Sequence, residues 1–157
     1  MSTGFMDLQF RWTNGSDPDF RQFWFITEQY YDSITGGRKN REQFVPYNLS
    51  SAVENVLIVY HSGIPVACAG LKRYSEKDVE IKRVWVEPEW RNHGIAALMM
   101  ARIEEKAGKL GYSSAILQTR EIMKDAVGLY TGLGYHLIEN YPPYDSLDGA
   151  ICFAKVL

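Results

Sequence analysis

Between Val56 and Val86 the chain carries three β-type runs separated only by short turns, and directly afterwards its hydrophobic period becomes helical. The runs are Val56-Leu57-Ile58-Val59-Tyr60, Ile64 to Leu71 and Val79 to Val86, with a tight-turn signal at His61-Ser62-Gly63 between the first two. Strands this close in sequence must pair antiparallel, because a parallel neighbour needs a crossover of a dozen or more residues. Alternation along the third run predicts Ile81, Arg83 and Trp85 on one face, and Glu80, Lys82, Val84 and Val86 on the other. Pro88 ends this strand. From Gly94 to Leu110 the stripe Ile95, Met99, Ile103, Ala107 and Leu110 recurs at helical spacing, Glu105 precedes Lys109 by one turn, and Gly111 supplies the residue after the cap.

The same reading extends to both ends. Ser114 to Thr119, Tyr135 to Asn140 and Ala150 to Val156 are predicted strands, and Asp125 to Leu133 is a short helix closed by Gly134. Near the start, Asp7 to Trp12 is a first strand, and Asn14-Gly15-Ser16-Asp17-Pro18 is a turn with a helix start. The helix from Asp19 to about Ser33 places Phe20, Phe23, Trp24, Ile26, Tyr30 and Tyr31 mostly on one face. Arg41 to Leu49 reads as a short helix broken at Pro46, and the Thr35 to Asn40 stretch is too short to separate two domains. The order predicts one domain over residues 1–157, of α+β class: a mixed, mostly antiparallel twisted sheet with flanking helices.

Composition narrows the function classes. With 17 Lys+Arg against 19 Asp+Glu the net charge is −2, which lacks the basic excess that nucleic-acid binding requires. No apolar stretch approaches the roughly 20 residues of a membrane span, and Met1 to Asp7 has no signal-peptide pattern, so a cytoplasmic protein is expected. Cys68 and Cys152 sit in apolar stretches without metal-ligand spacing and are expected to be reduced core thiols; no metal site is expected.

Arg91-Asn92-His93-Gly94-Ile95-Ala96 lies at a strand-to-helix junction. A helix start offers unpaired N–H groups and partial positive charge, Gly94 removes the Cβ that would block a ligand, and Arg91 adds a cation, so the junction suits a pyrophosphate. An ordinary helix entry carries the same residues. The segment lacks the Gly-Lys-Ser/Thr of a P-loop and the three glycines of a dinucleotide fingerprint.

The run Val79 to Trp90 followed by Arg91-x-x-Gly94-x-Ala96 resembles the acetyl-CoA signature (Arg/Gln-x-x-Gly-x-Gly/Ala) of the GNAT family of N-acetyltransferases. Downstream, Ala126-Val127-Gly128-Leu129-Tyr130-Thr131-Gly132-Leu133-Gly134-Tyr135 resembles the family's Ala-x-x-Leu-Tyr-x-x-x-Gly-Phe/Tyr segment. The end of the chain, from Asn140 to Lys155, is similar to a subset of small bacterial-type members, so the resemblance covers about residues 53–157. It implies a sheet whose fourth and fifth strands, Val79 to Val86 and Ser114 to Thr119, splay to admit acetyl-CoA. It further implies that Val84, Trp85 and Val86 line the pantetheine arm with Thr119, Ala126 and Leu129. Arg91 and the amides of Asn92, His93, Gly94, Ile95 and Ala96 would hold the pyrophosphate. Tyr130 matches the usual general acid, and Glu80 the carboxylate that relays the substrate proton through water. Met123 stands where many members carry Asn or Gln, and Gln118 where the subset usually carries Glu.

Chemistry agrees with those roles. An amine is mostly protonated at neutral pH and needs a proton acceptor before it can attack a thioester, while the departing thiolate needs an acid. No covalent enzyme intermediate is required, so no Ser/His/Asp or Cys/His set is needed. Other readings stay open: Tyr130 as a core aromatic, Glu80 as a cross-strand partner of Lys82, Lys72 or Arg73, and His61, His93 and His136 as ordinary surface residues. Tyr47, Tyr141 and Tyr144 are candidate acceptor-binding residues, with Pro142 and Pro143 expected to hold the backbone extended so that both rings are presented; the alternative is that they cover a sheet edge. The expected partner is a small-molecule or amino-acid-like amine, with no nucleic acid and no membrane, leaving a homodimer open. A catalytically weak acyl-CoA-binding sensor or interaction module, and a protein-modifying acetyltransferase, are the alternative functions.

Overall fold

A computed structural model describes residues 7–34 and 50–157. Tyr47 and the helix expected over Arg41 to Leu49 lie outside them. Seven strands form one sheet: β1 (Leu8–Thr13), β2 (Asn55–His61), β3 (Ile64–Arg73), β4 (Asp78–Val86), β5 (Ser114–Arg120), β6 (His136–Ile138) and β7 (Ala150–Val156). Among the described residues the α-helices are α1 (Pro18–Ile34), α2 (Ile95–Lys109) and α3 (Lys124–Gly132). Strand order is β1-β2-β3-β4-β5-β7-β6, antiparallel throughout except for β4 and β5, whose parallel pairing follows from the α2 crossover. This is the mixed, mostly antiparallel α+β arrangement that the segment order implies. Observed element ends lie within a few residues of the expected ones.

The near-continuous apolar run of β2 is buried on both faces. Leu57 and Val59 pack with Met99, Ile103 and Ala107 of α2, whereas Val56 and Ile58 pack with Phe20 and Phe23 of α1. Helix α2 ends as its glycine predicts: Gly111 has φ +95° and Tyr112 N–H reaches back to the Ala107 carbonyl at 3.1 Å. Cys68 and Cys152 are free and buried, and burial pushes both thiols up from their ordinary range. Among the described residues no helix is long and apolar enough to cross a membrane.

The structure corrects two sequence expectations, and both matter to the site. Simple alternation along β4 fails at Arg83. Cys68 faces Trp85 and Gly70 faces Lys82, so one β3 residue stands opposite two on β4, and Arg83 takes φ +55°. This is a β-bulge, and the extra residue flips every side chain that follows it. Ile81 and Trp85 therefore lie on opposite faces, while Val84 and Val86 join Ile81 and Val79 on the α2 side. The second correction concerns Tyr141-Pro142-Pro143-Tyr144. It is a turn with a cis Pro142–Pro143 bond, closed by Tyr144 N–H donating to the Tyr141 carbonyl at 2.8 Å, rather than an extended segment. The two rings pack edge to face 5.5 Å apart.

Candidate active site

Pairing between β4 and β5 stops after three register pairs, the last being Glu80 with Ile116. Strand β5 instead stays with β7 as far as Arg120 and Ala150. The second half of β4 thus parts from β5 and leaves an open cleft of about 580 Å³. Val84, Trp85 and Val86 form one wall of the cleft. Ala126, Leu129 and Tyr130 of α3 form the other, and Tyr30 and Tyr31 of α1 reach across one side. Tyr30 also meets the Trp85 ring edge to face at 5.2 Å.

At one end of the cleft, Arg91, Asn92, Gly94, Ile95 and Ala96 line the entry to α2. Gly94 caps the helix with φ +82° and no side-chain hydrogen bond, and a Cβ placed there would meet nothing within 4 Å. That conformation costs glycine little and leaves the first-turn N–H groups open to an anion. Arg91 is fixed beside them: its Nε donates to the Val86 carbonyl at 2.7 Å and its guanidinium lies 4.7 Å over the Trp85 ring. His93 is exposed and outside the lining, whereas Trp90, Ile122, Lys124 and Asp125 belong to it without having been singled out by sequence.

A second, smaller cavity of about 110 Å³ adjoins the cleft. Tyr31, Val84, Met123, Ala126 and Tyr130 line both spaces, so the two meet at Tyr130. Thr119, expected on the cofactor side, lines only the smaller one, and its hydroxyl donates to the Met123 sulfur at 3.6 Å. Tyr130 is buried, packs edge to face on Tyr135, and its hydroxyl makes no hydrogen bond among the described residues. Burial pushes its phenol up from the ordinary value, so the hydroxyl keeps its proton across the neutral range.

Glu80 is buried beneath this region rather than on either wall. Its Oε2 accepts the Tyr141 hydroxyl at 2.7 Å and its Oε1 stands 3.7 Å from Lys82 Nζ. Burial and the Glu80 charge push the Tyr141 phenol up. Lys82 lines the smaller cavity, donates to the Tyr144 hydroxyl at 2.9 Å, and is lowered by burial to about 8. Tyr144 is fully buried and, like Tyr141, absent from both linings. The pairing with Lys82 weighed for Glu80 is therefore present, made along β4 between residues on the same face, and Lys82, seen in the sequence only as its partner, belongs to the lining of the smaller cavity.

The acetyltransferase (GNAT) family profile matches residues 11–135. The chain belongs to this family. The splayed β4 and β5 are the feature that its resemblance to the family implies. Among curated relatives, an uncharacterized N-acetyltransferase of Schizosaccharomyces pombe is 39% identical over 62 residues, 40% of this chain and 38% of that protein. The match thus spans well under two thirds of the relative. Among solved structures, a candidate acyl-CoA N-acyltransferase of Klebsiella pneumoniae superposes with TM-score 0.79 at 21% identity, covering 96% of this chain and 97% of that one. A GNAT acetyltransferase of Elizabethkingia anophelis with acetyl-CoA bound gives 0.66 at 15% identity, covering 96% and 99%. At these identities the likeness is one of fold.

Proposed function

We propose that the protein transfers the acetyl group of acetyl-CoA directly to the amine of a small-molecule or amino-acid-like acceptor. The observation that carries this reading is the meeting of two cavities at Tyr130, an open cleft of about 580 Å³ whose lining includes Arg91 and the glycine-led start of α2, and a smaller polar one. A cosubstrate as long as acetyl-CoA suits the first: the α2 N-terminus and Arg91 would take its pyrophosphate, and Val84, Val86, Ala126 and Leu129 its apolar arm. Acetyl-CoA supplies an acyl group already activated as a thioester.

The chain's own residues then supply orientation and protons. The unpaired edge of β4 near Val84 can donate a backbone N–H to the carbonyl oxygen on which negative charge develops. Tyr130 holds its proton at the junction and gives it to the departing sulfur as the carbon–sulfur bond breaks and the carbon–nitrogen bond forms. Glu80, 3.7 Å from the Lys82 ammonium, is the proposed final acceptor of the amine proton, relayed through water in the smaller cavity. The cytosol, where buried thiols stay reduced, is the setting this reading assumes.

The experiment is thiol release from acetyl-CoA across a panel of small amines and folded proteins, with calorimetry of acetyl-CoA alone. Binding with turnover on small amines supports the proposal. Binding without turnover on any amine identifies an acyl-CoA-binding module instead, and turnover on proteins only overturns the acceptor class.

A further inference from the structure

Five residues, Tyr31, Val84, Met123, Ala126 and Tyr130, line both the open cleft and the smaller cavity, so the passage between the two runs among them. Val84 and Ala126 are compact, and Tyr130 is the proposed acid. The width of the passage therefore falls to Tyr31, from α1, and to Met123, the residue that caps α3. A cavity of about 110 Å³ holds roughly seven water-sized positions, which an acceptor amine and an acyl tail must share.

Met123 is held at both its backbone and its side chain. Its N–H donates to the Arg120 carbonyl at 3.0 Å and its own carbonyl accepts the Val127 N–H at 3.1 Å, which fixes the residue between β5 and α3. The hydroxyl of the buried Thr119 donates to its sulfur at 3.6 Å. A thioether accepts only a weak hydrogen bond, yet an unbranched side chain with three rotatable bonds needs little to favour one rotamer. On the α1 side, the Tyr31 ring packs edge to face on Tyr30 at 5.8 Å and lies 5.0 Å from the Arg83 guanidinium. That guanidinium is itself bonded to Thr27 and Glu28 of α1, each at 2.9 Å. Both side chains are thus held by contacts the protein itself makes.

Taking as given the acetyl transfer proposed above, we propose that Met123 sets the size of the acyl group the protein accepts, admitting acetyl and disfavouring chains of four carbons or more. With the thioester sulfur beside Tyr130, the acyl carbon stands at the passage and its tail points on into the smaller cavity. An acetyl group ends there in one methyl. A butyryl tail adds two methylenes, which must either displace Met123 or take the space the acceptor needs. One methylene changes selectivity in such a pocket by about tenfold or more, and overfilling a packed site adds strain.

The test compares acetyl-CoA with butyryl-CoA, each assayed by thiol release with the best amine of the panel. Wild type is expected to use acetyl-CoA with a kcat/KM about tenfold or more above that for butyryl-CoA. Met123→Ala is expected to bring this ratio close to one, and Met123→Leu, of similar volume, to keep most of it. A ratio cancels any loss of folded protein, so a residue that only packs would lower both donors in the same proportion. An unchanged ratio in Met123→Ala, or wild-type turnover of butyryl-CoA equal to that of acetyl-CoA, overturns the assignment. Should Met123→Ala fail to fold, Met123→Val carries the same comparison. Calorimetry of each acyl-CoA against coenzyme A, with no amine present, reads the size limit without turnover. A chain that acetylates no amine yet binds acetyl-CoA more tightly than butyryl-CoA, a difference that Met123→Ala removes, refutes the enzymatic reading and keeps the size limit; transfer from both donors with equal efficiency does the reverse.

Discussion

Lys82 Nζ donates to the Tyr144 hydroxyl at 2.9 Å, which ties the connection between β6 and β7 to the middle of β4 from inside the protein. Tyr144→Phe keeps the ring and removes the hydroxyl that Lys82 bonds. A hydrogen bond to a charged group contributes about 1.5–3 kcal/mol when its partner is left buried, and a loss of that size is expected. Urea unfolding, read as a shift in midpoint at constant slope, measures it. A change below about 0.5 kcal/mol, the ordinary range for a neutral surface substitution, would mean that the contact is energetically idle.

Burial lowers Lys82 from 10.5 to about 8. Below pH 8 folded and unfolded chains both carry this proton, and the cost of burying the charge is present in full. Between 8 and 10.5 the folded state sheds it first, so unfolding takes up a proton and this residue's contribution to stability rises with pH. The burden relieved is on the order of 3 kcal/mol. Cys68 and Tyr141, both pushed up by burial, act with the opposite sign above their own ordinary values, so the quantity to measure is the difference between Lys82→Met and wild type. That difference is expected to move in favour of wild type as pH rises from 8 to 10.5, in chemical unfolding at several pH values. A flat difference would refute the depressed ammonium.

How far the fold was legible depends on whether its cause is local. The β2–β3 turn, the α2 stripe and the Gly94 entry are set by periodicity and by one residue's backbone freedom, and all three stand where the sequence puts them. The bulge at Arg83 is set by how β3 pairs with β4, which no pattern within β4 reveals, so the faces of Val84, Trp85 and Val86 were misassigned. Two prolines are equally compatible with an extended segment and a turn, and the Tyr144-to-Tyr141 hydrogen bond decides for the turn. Lys82 and Arg120 come together on one cavity from strands 38 residues apart in sequence numbering, a juxtaposition created only by the parallel β4–β5 crossover.

At the helix entry, Gly94→Glu puts a carboxylate and a strained left-handed backbone where an anion is proposed to approach α2. A Cβ there meets nothing within 4 Å, so the protein is expected to fold, at a cost of about 1 kcal/mol for the backbone conformation. Calorimetry is expected to show acetyl-CoA binding abolished. Gly94→Ala carries the same strain without the charge and is expected to weaken binding much less. A folded Gly94→Glu variant that binds like wild type removes the pyrophosphate assignment.

Tyr130 offers the sharpest separation of chemistry from packing. Its ring lies 5.9 Å from Tyr135 and 6.2 Å from Phe153, contacts that phenylalanine reproduces, and its hydroxyl has no hydrogen-bond partner among the described residues. Tyr130→Phe is therefore expected to leave stability within about 1 kcal/mol of wild type. A lost general acid costs on the order of 10²-fold or more in rate, so kcat on the best amine is expected to fall by that factor while acetyl-CoA affinity by calorimetry stays close to wild type. A leaving thiolate of lower basicity needs less help from an acid, so an acyl donor built on a more acidic thiol should recover much of the lost rate. A residue that merely packs would show neither the selective fall in kcat nor the rescue, and either absence would return Tyr130 to the hydrophobic core.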